Sequence, residues 1–171
     1  NWHNEIIEEC YGSKHPDGTL VRLNGACLTQ PSWHTVVREL CDRMYKEVGV
    51  DGVYLDQMSG SGFGLCCNPE HGHPIGIGGK WWMEGCNAMM EQVRGVTPDY
   101  GFYTSEENAE VFANLLQGQL VWHWSSGSLL PIYSIVYSDI IALFGRNYPT
   151  ARPMTRWDRW YHRITFSESL T

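Results

Sequence analysis

Gly49-Val50-Asp51-Gly52-Val53-Tyr54-Leu55-Asp56-Gln57 is a mostly apolar run, opened by glycine and closed by a carboxylate. Such a run reads as a buried parallel strand that delivers Asp56 to its C-terminal tip. Further on, Tyr100-Gly101-Phe102-Tyr103-Thr104-Ser105-Glu106 repeats the plan with a second carboxylate. In (β/α) barrels the C-terminal strand tips are where catalytic groups sit. Two acids on successive tips are the raw material of glycosidic-bond cleavage.

Outward from these runs, helix and strand patterns alternate, which predicts an α/β architecture with parallel strands. Pro31 opens a helix, because a first turn tolerates its missing N–H. Trp33, Val36, Val37, Leu40, Met44, Tyr45 and Val48 then form one apolar stripe, which Gly49 ends as a C′ glycine. Upstream, Leu20-Val21-Arg22-Leu23-Asn24 is a short strand candidate. Residues 58–80 are glycine-rich and contain Pro69 and Pro74; irregular stretches of that length are usually functional or disordered. A second helix over 81–94 carries Trp82, Met83, Cys86, Met90 and Val93 inward, and Gly95 stops it. After Glu106 the pattern predicts a helix over 107–117 with Phe112, Leu115 and Leu116 apolar, then the strand Leu120-Val121-Trp122-His123-Trp124. Pro131 to Tyr137 reads as a further strand with Asp139 just past it, and 140–144 as helical. Arg152, Arg156, Arg159 and Arg163, interleaved with Trp157, Trp160 and Tyr161, read as an amphipathic surface helix.

At 171 residues and 43% hydrophobic, the chain can bury a sizeable core and is read as one domain over 1–171. It falls short of the roughly 250 residues of a complete eight-fold barrel. It begins at Asn1 rather than Met and shows no closing element over 166–171, so the expectation is a fragment holding a partial barrel. The net charge of -7 argues against nucleic acid, whose binders carry basic patches. No basic run supports a membrane-surface role, and no apolar run reaches the roughly 18 residues of a membrane span. No signal peptide is visible; the location is left unassigned, and export of a longer parent stays open.

Eight tryptophans, nine tyrosines and five phenylalanines serve core packing, and flat indoles also suit the apolar faces of pyranose rings. Six cysteines do not make a small disulfide scaffold, where cysteine exceeds about 8% of residues. Cys10, Cys27, Cys41 and Cys86 are scattered singly, as small buried residues often are.

Retaining glycosidases need two carboxyl groups about 5–5.5 Å apart, and neighbouring strands lie about 4.8 Å apart. Asp56 and Glu106 on sequential strands are therefore candidate partners. Burial and mutual charge would keep one acid of such a pair protonated. Each also has a structural reading. An Asp after a strand can cap a turn, and Glu106, Glu107 and Glu110 suit the positive end of a helix dipole. Thr104 with Glu107 matches a capping box, which favours Glu106, nearest the strand tip, as the catalytic candidate, with Glu107 the open alternative for the proton donor. Cys66-Cys67-Asn68-Pro69-Glu70-His71-Gly72-His73 holds zinc-type donors, but its spacing matches no common zinc pattern and adjacent cysteines rarely chelate one ion together. No metal or other cofactor is expected. His71 and His73 are instead read as presenting imidazoles to sugar hydroxyls, or as structural. Asp139 binds a substrate hydroxyl or caps the helix after it. Tyr54, Trp122 and Trp124 are candidate substrate contacts, with core packing the alternative for the two tryptophans.

In order, Pro31-Ser32-Trp33, Asp51 to Gln57, Asn68-Pro69-Glu70-His71-Gly72-His73-Pro74, Thr104-Ser105-Glu106, Leu120 to Trp124, and Pro131 to Tyr137 with Asp139 run through residues 27–145. Together they resemble a glycoside-hydrolase-like TIM-barrel family found mainly in bacterial carbohydrate-degrading proteins. The resemblance implies that the Asp56 strand is the fourth barrel strand and the Glu106 strand the fifth, within a chain holding roughly strands three to seven. Nucleophilic Asp on strand four with acid/base Glu on strand five is also the plan of the endo-α-N-acetylgalactosaminidase and α-amylase families. It implies a retaining glycosidase acting on an α-linked oligo- or polysaccharide, with no nucleic-acid or membrane partner. Asp56 would attack the anomeric carbon while Glu106 protonates the leaving oxygen. The rival readings are a catalytically silent carbohydrate-binding barrel and a zinc-dependent hydrolase centred on Cys66, Cys67, His71 and His73.

Overall fold

A computed structural model describes residues 8–9, 13–21, 23–58, 66–75, 79–106, 109–121 and 132–145. Glu107, Trp122, His123, Trp124 and the expected surface helix around Trp157 lie outside the described residues. The chain divides into two compact units, Asn1–Asp51 with Ser61–Gly101, and Gly52–Gly60 with Phe102–Thr171. Among the described residues no helix is long and apolar enough to cross a membrane.

The first unit is built on two helices. Helix α1 (Pro31–Arg43) starts with proline in its first turn after an extended Gln30, as the sequence predicts. It widens into a π-helical stretch, Met44–Val48, and closes at Gly49, whose φ of 77° is the left-handed conformation glycine adopts without steric cost. Helix α2 (Lys80–Arg94) packs against α1. Buried here are Cys41 of α1 and Tyr45 of the π-helical stretch, with Cys86, Met89, Met90 and Val93 of α2.

The buried line of α1 is not the whole apolar stripe. Val36, Leu40 and Val48 are exposed, whereas His34 is buried. Periodicity locates an apolar face but not which part of it meets the core. A histidine can take a core position when both ring nitrogens are satisfied. Here Nε2 reaches the Leu28 carbonyl and Nδ1 faces the Gln92 amide at 3.4 Å. On α2, Gly85 and Met89 are buried while Trp82 and Met83 stay half-buried. A Cβ on Gly85 would come within 2.6 Å of the Leu28 carbonyl oxygen. Glycine therefore lets α2 lie directly on the backbone that leads into α1.

Upstream, β1 (Glu8–Glu9) and β2 (Leu23–Asn24) pair antiparallel. The expected strand over 20–24 is thus cut to its last two residues, with Leu20 in an isolated antiparallel bridge to Lys14.

The second unit is a four-stranded, wholly parallel sheet of β3 (Gly52–Leu55), β4 (Phe102–Glu106), β5 (Gly118–Val121) and β6 (Ala142–Gly145). Spatial order equals chain order. The α/β class with parallel strands alternating with helices is as expected, but three local expectations are corrected. The helix predicted over 107–117 is a single 3₁₀ turn, Glu110–Phe112. Phe112, Leu115 and Leu116 are still buried, but through turn-type bonds such as Leu115 N–H to Phe112 O at 2.9 Å. So short a crossover gives a helix few propagating bonds to offset its costly nucleus.

The segment read as a strand, 131–137, instead contains helix α3 (Ile132–Tyr137), and the segment read as helical, 140–144, contributes β6. β-branched content suggested the reverse. Two parallel neighbours, however, need a crossover between them, and tertiary pairing overrides strand propensity. Tyr133 and Tyr137 lie one turn apart on α3 with ring centroids 4.5 Å apart.

Candidate functional site

The register of β3 on β4 places the two candidate acids. Gly52, Val53, Tyr54 and Leu55 pair with Phe102, Tyr103, Thr104 and Ser105. Asp56 follows Leu55 in the turn after β3, and Glu106 ends β4, so both stand at the C-terminal end of the sheet. Paired residues of a parallel ladder project to the same face, so Gly52 and Tyr54 share a face with Phe102, Thr104 and Glu106. Gly52 shows this directly: a Cβ there would run into the Phe102 ring. On β5, Leu120 pairs with Glu106 and belongs to the same face.

The opposite face carries structural polar groups. Ser105 donates its hydroxyl to the Leu55 carbonyl at 2.6 Å, and Gln119 donates to the Ala109 carbonyl at 3.1 Å. From α3, Tyr133 donates its hydroxyl to Gln119 Oε1 at 2.7 Å. Helix α3 therefore reaches the side of the sheet away from Glu106.

Glu106 ends β4 and is buried, while Asp56 lies in the turn after β3 and is exposed. Next to Asp56, Gln57 adopts a left-handed φ of 57°, the single non-glycine case among the described residues. A non-glycine residue there costs roughly 1–3 kcal/mol, and such strain gathers at functional sites. Tyr54 is half-exposed on the acid face. Asp139 is placed otherwise than expected. It stands in the exposed turn between α3 and β6, ahead of a parallel strand rather than past one. It therefore belongs to the N-terminal end of the sheet, opposite Asp56 and Glu106, because the expected strand before it is a helix.

His71 and His73 belong to the first unit, where they meet two thiols. Cys66 Sγ lies 3.1 Å from His71 Nδ1, and Cys27 Sγ lies 3.4 Å from His73 Nε2. The donor atoms of Cys27, Cys66, His71 and His73 all lie within 4.8 Å of one another. Burial pushes the Cys66 thiol above its ordinary range, partly opposed by the Asn68 backbone N–H. Cys67, next in sequence, is buried and is not one of the four. Sequence reasoning missed Cys27, since no chain spacing connects it to Cys66. The His71-Gly72-His73 triplet was the readable half of the signal. Gly72, with φ of 72°, turns the chain so that both rings converge, with centroids 6.0 Å apart. An open cavity of about 540 Å³ adjoins His73, bordered also by Thr29, Lys80, Trp81 and Glu84. That volume lies in the range of small-molecule sites.

Fold and site together define an α/β protein whose four-stranded parallel sheet carries Glu106 and, in the turn after β3, Asp56 at one end. The chain belongs to the family described as "Domain of unknown function (DUF6259)", whose model matches residues 1–148. It is similar to a protein of Bacteroides thetaiotaomicron named "Putative glycoside hydrolase", with 29% identity over 147 residues, covering 84% of this chain and 21% of that protein. It is also similar to a Monosiga brevicollis protein named "Putative glycoside hydrolase 22789", with 25% identity over 123 residues, covering 66% of this chain and 10% of that protein. The chain thus spans about a fifth or less of these relatives. No solved structure matches it.

Proposed function

We propose that this chain contributes part of the catalytic (β/α)₈ barrel of a retaining glycoside hydrolase acting on α-linked glycans. Asp56 is the nucleophile and Glu106 the acid/base. The observation that supports this reading is the parallel register from Gly52–Phe102 to Leu55–Ser105, with Asp56 and Glu106 the next residue along each chain segment. Strands about 4.8 Å apart suit carboxyls that must work about 5–5.5 Å apart.

The sheet supports the barrel. Its four strands are parallel and follow chain order without reversal, as in a barrel, whereas a doubly wound sheet reverses order at its switch point. In this reading β3 is the fourth barrel strand and β4 the fifth. The acid face is the barrel interior, and α3 belongs to the outer ring. The names of the two relatives support a carbohydrate substrate.

The chemistry proceeds in two displacements. Asp56 attacks the anomeric carbon as Glu106 gives its proton to the departing glycosidic oxygen. Glu106, now a base, takes a proton from water, whose oxygen attacks the same carbon and releases Asp56. Tyr54, on the same face, contacts the sugar, and Trp122 and Trp124, which follow β5 in the chain, supply stacking surfaces. His71 and His73 are engaged with thiols and are left out of the sugar contacts, as is Asp139.

The test is a mechanism-based trap. The full-length parent is incubated with an activated fluorinated α-glycosyl substrate and the labelled peptide is mapped by mass spectrometry. The label is expected on Asp56 and absent from Asp56→Asn. A label on another carboxylate, or turnover with no trapped intermediate, would overturn the assignment.

A further inference from the structure

We propose that Cys27, Cys66, His71 and His73 bind one zinc ion as a closed structural site. Two thiols and two imidazoles form a four-ligand set that zinc takes in tetrahedral geometry, and this softness of donor selects zinc over the hard oxygen-seeking cations. Zinc–sulfur and zinc–nitrogen bonds of about 2.3 and 2.0 Å set sulfur and nitrogen about 3.5 Å apart across a tetrahedron. The two sulfur–nitrogen pairs, at 3.1 and 3.4 Å, already lie near that spacing. All four ligands come from the protein, so no position is left for water or substrate. The site is one of architecture, distinct from the acid pair.

The surroundings orient the ligands, as a metal site requires. His73 holds its Nδ1 at 2.9 Å from the Pro74 carbonyl. That contact requires N–H on Nδ1 and leaves the Nε2 lone pair facing Cys27. The imidazole is also stacked on Trp81, with centroids 4.0 Å apart and planes within 5°, which fixes the ring while leaving both nitrogens free in its plane. Thr29 Oγ1 lies 3.2 Å from Cys27 Sγ and can donate to it once it is a thiolate. Gln30 Nε2 donates to the same hydroxyl oxygen at 3.1 Å and to the His71 carbonyl at 3.2 Å.

His71 turns Nδ1 to Cys66 and Nε2 to the Asn68 side chain at 3.0 Å. Zinc on Nδ1 puts the proton on Nε2, so the Asn68 amide must present its oxygen there. That releases the Glu70 N–H which the same oxygen caps at 3.0 Å.

Binding is balanced by the loss of two thiol protons to solvent: Zn²⁺ with two thiolates and two neutral imidazoles is a neutral centre. What the ion gains structurally is clear from the chain. Residues 66–75 have little apolar surface of their own, and Cys67 is their one buried residue. Four bonds to one ion would tie them to Cys27, just ahead of α1, and offset the entropy of ordering them.

The experiment measures metal on the purified chain by elemental analysis, then replaces zinc with cobalt(II) and records its absorption spectrum. About one zinc per chain is expected, with tetrahedral cobalt bands and charge transfer from two thiolates. Cys27→Ser and His73→Gln should each lower zinc affinity by at least about 10–100-fold, while Cys67→Ser keeps the metal. Should a variant fail to fold, the cobalt spectrum of the unaltered chain still decides. Cobalt bound through fewer or more than two thiolates, no stoichiometric metal, a Cys27–Cys66 disulfide, or metal lost with Cys67 and kept without Cys27 would each overturn the proposal.

Discussion

Asp56 lies in the turn after β3 and Glu106 ends the neighbouring β4, and one is exposed and the other buried. The proposed roles make their replacements distinguishable. Glu106→Gln should slow cleavage of an ordinary glycan by about 10²–10⁴-fold, the usual range for a lost proton donor. It should spare the first step on an aryl glycoside whose leaving group needs no proton. Asp56→Asn should abolish both. Steady-state kinetics of the full-length parent on the two substrates check this, and the same loss pattern in Glu107→Gln but not Glu106→Gln would move the donor by one residue. Away from the acids, Gly85 is held by the Leu28 backbone. Gly85→Ala should destabilise by about 1–3 kcal/mol, since backbone cannot yield as a side chain can. Urea denaturation measures it, and an unchanged midpoint would contradict the packing described. At this scale the acids stand out in the sequence because each closes a mostly apolar run, although turn capping and the helix dipole use the same residue types. Cys27 was not, because its partners lie far along the chain.

Helix α3 is the element whose place is least evident from its residues and most dependent on one contact. Its Tyr133 hydroxyl satisfies Gln119 Oε1 from across the crossover, and Gln119 is fully buried. Tyr133→Phe should therefore cost about 1–3 kcal/mol, the penalty of a buried acceptor left without a donor. Chemical denaturation of the variant reads that directly; a loss below experimental error would mean that Gln119 is satisfied by other means. The elements that sequence revealed carry punctuation as well as pattern: Pro31 and Gly49 bracket α1 with its π-helical extension, and Gly95 follows α2. Residues 131–145 have Pro131 and Gly145 at their ends but no clear pattern between them. Ile132, Ile135, Val136 and Ile140 are apolar yet exposed, so neither a period of two nor one of 3.6 marks an inner face. What exchanges helix and strand there is the demand of a parallel sheet for a crossover, which no local window contains. The 3₁₀ turn at Glu110–Phe112 has the same origin.

At the scale of the molecule, β3 and β6 form the edges of the four-stranded sheet, and a sheet that closes into a barrel has no edges. The chain spans 21% of its Bacteroides relative and 10% of its Monosiga relative, so the decisive test of the proposed activity uses the whole protein that carries this chain. The central claim is a pair of displacements at one carbon, and stereochemistry reports their number. The parent is incubated with a panel of α-linked glycans and the anomeric proton of the first-formed product is followed by NMR before mutarotation. Two displacements predict release of the α anomer; initial release of the β anomer would mean a single displacement by water and would contradict the roles given to Asp56 and Glu106.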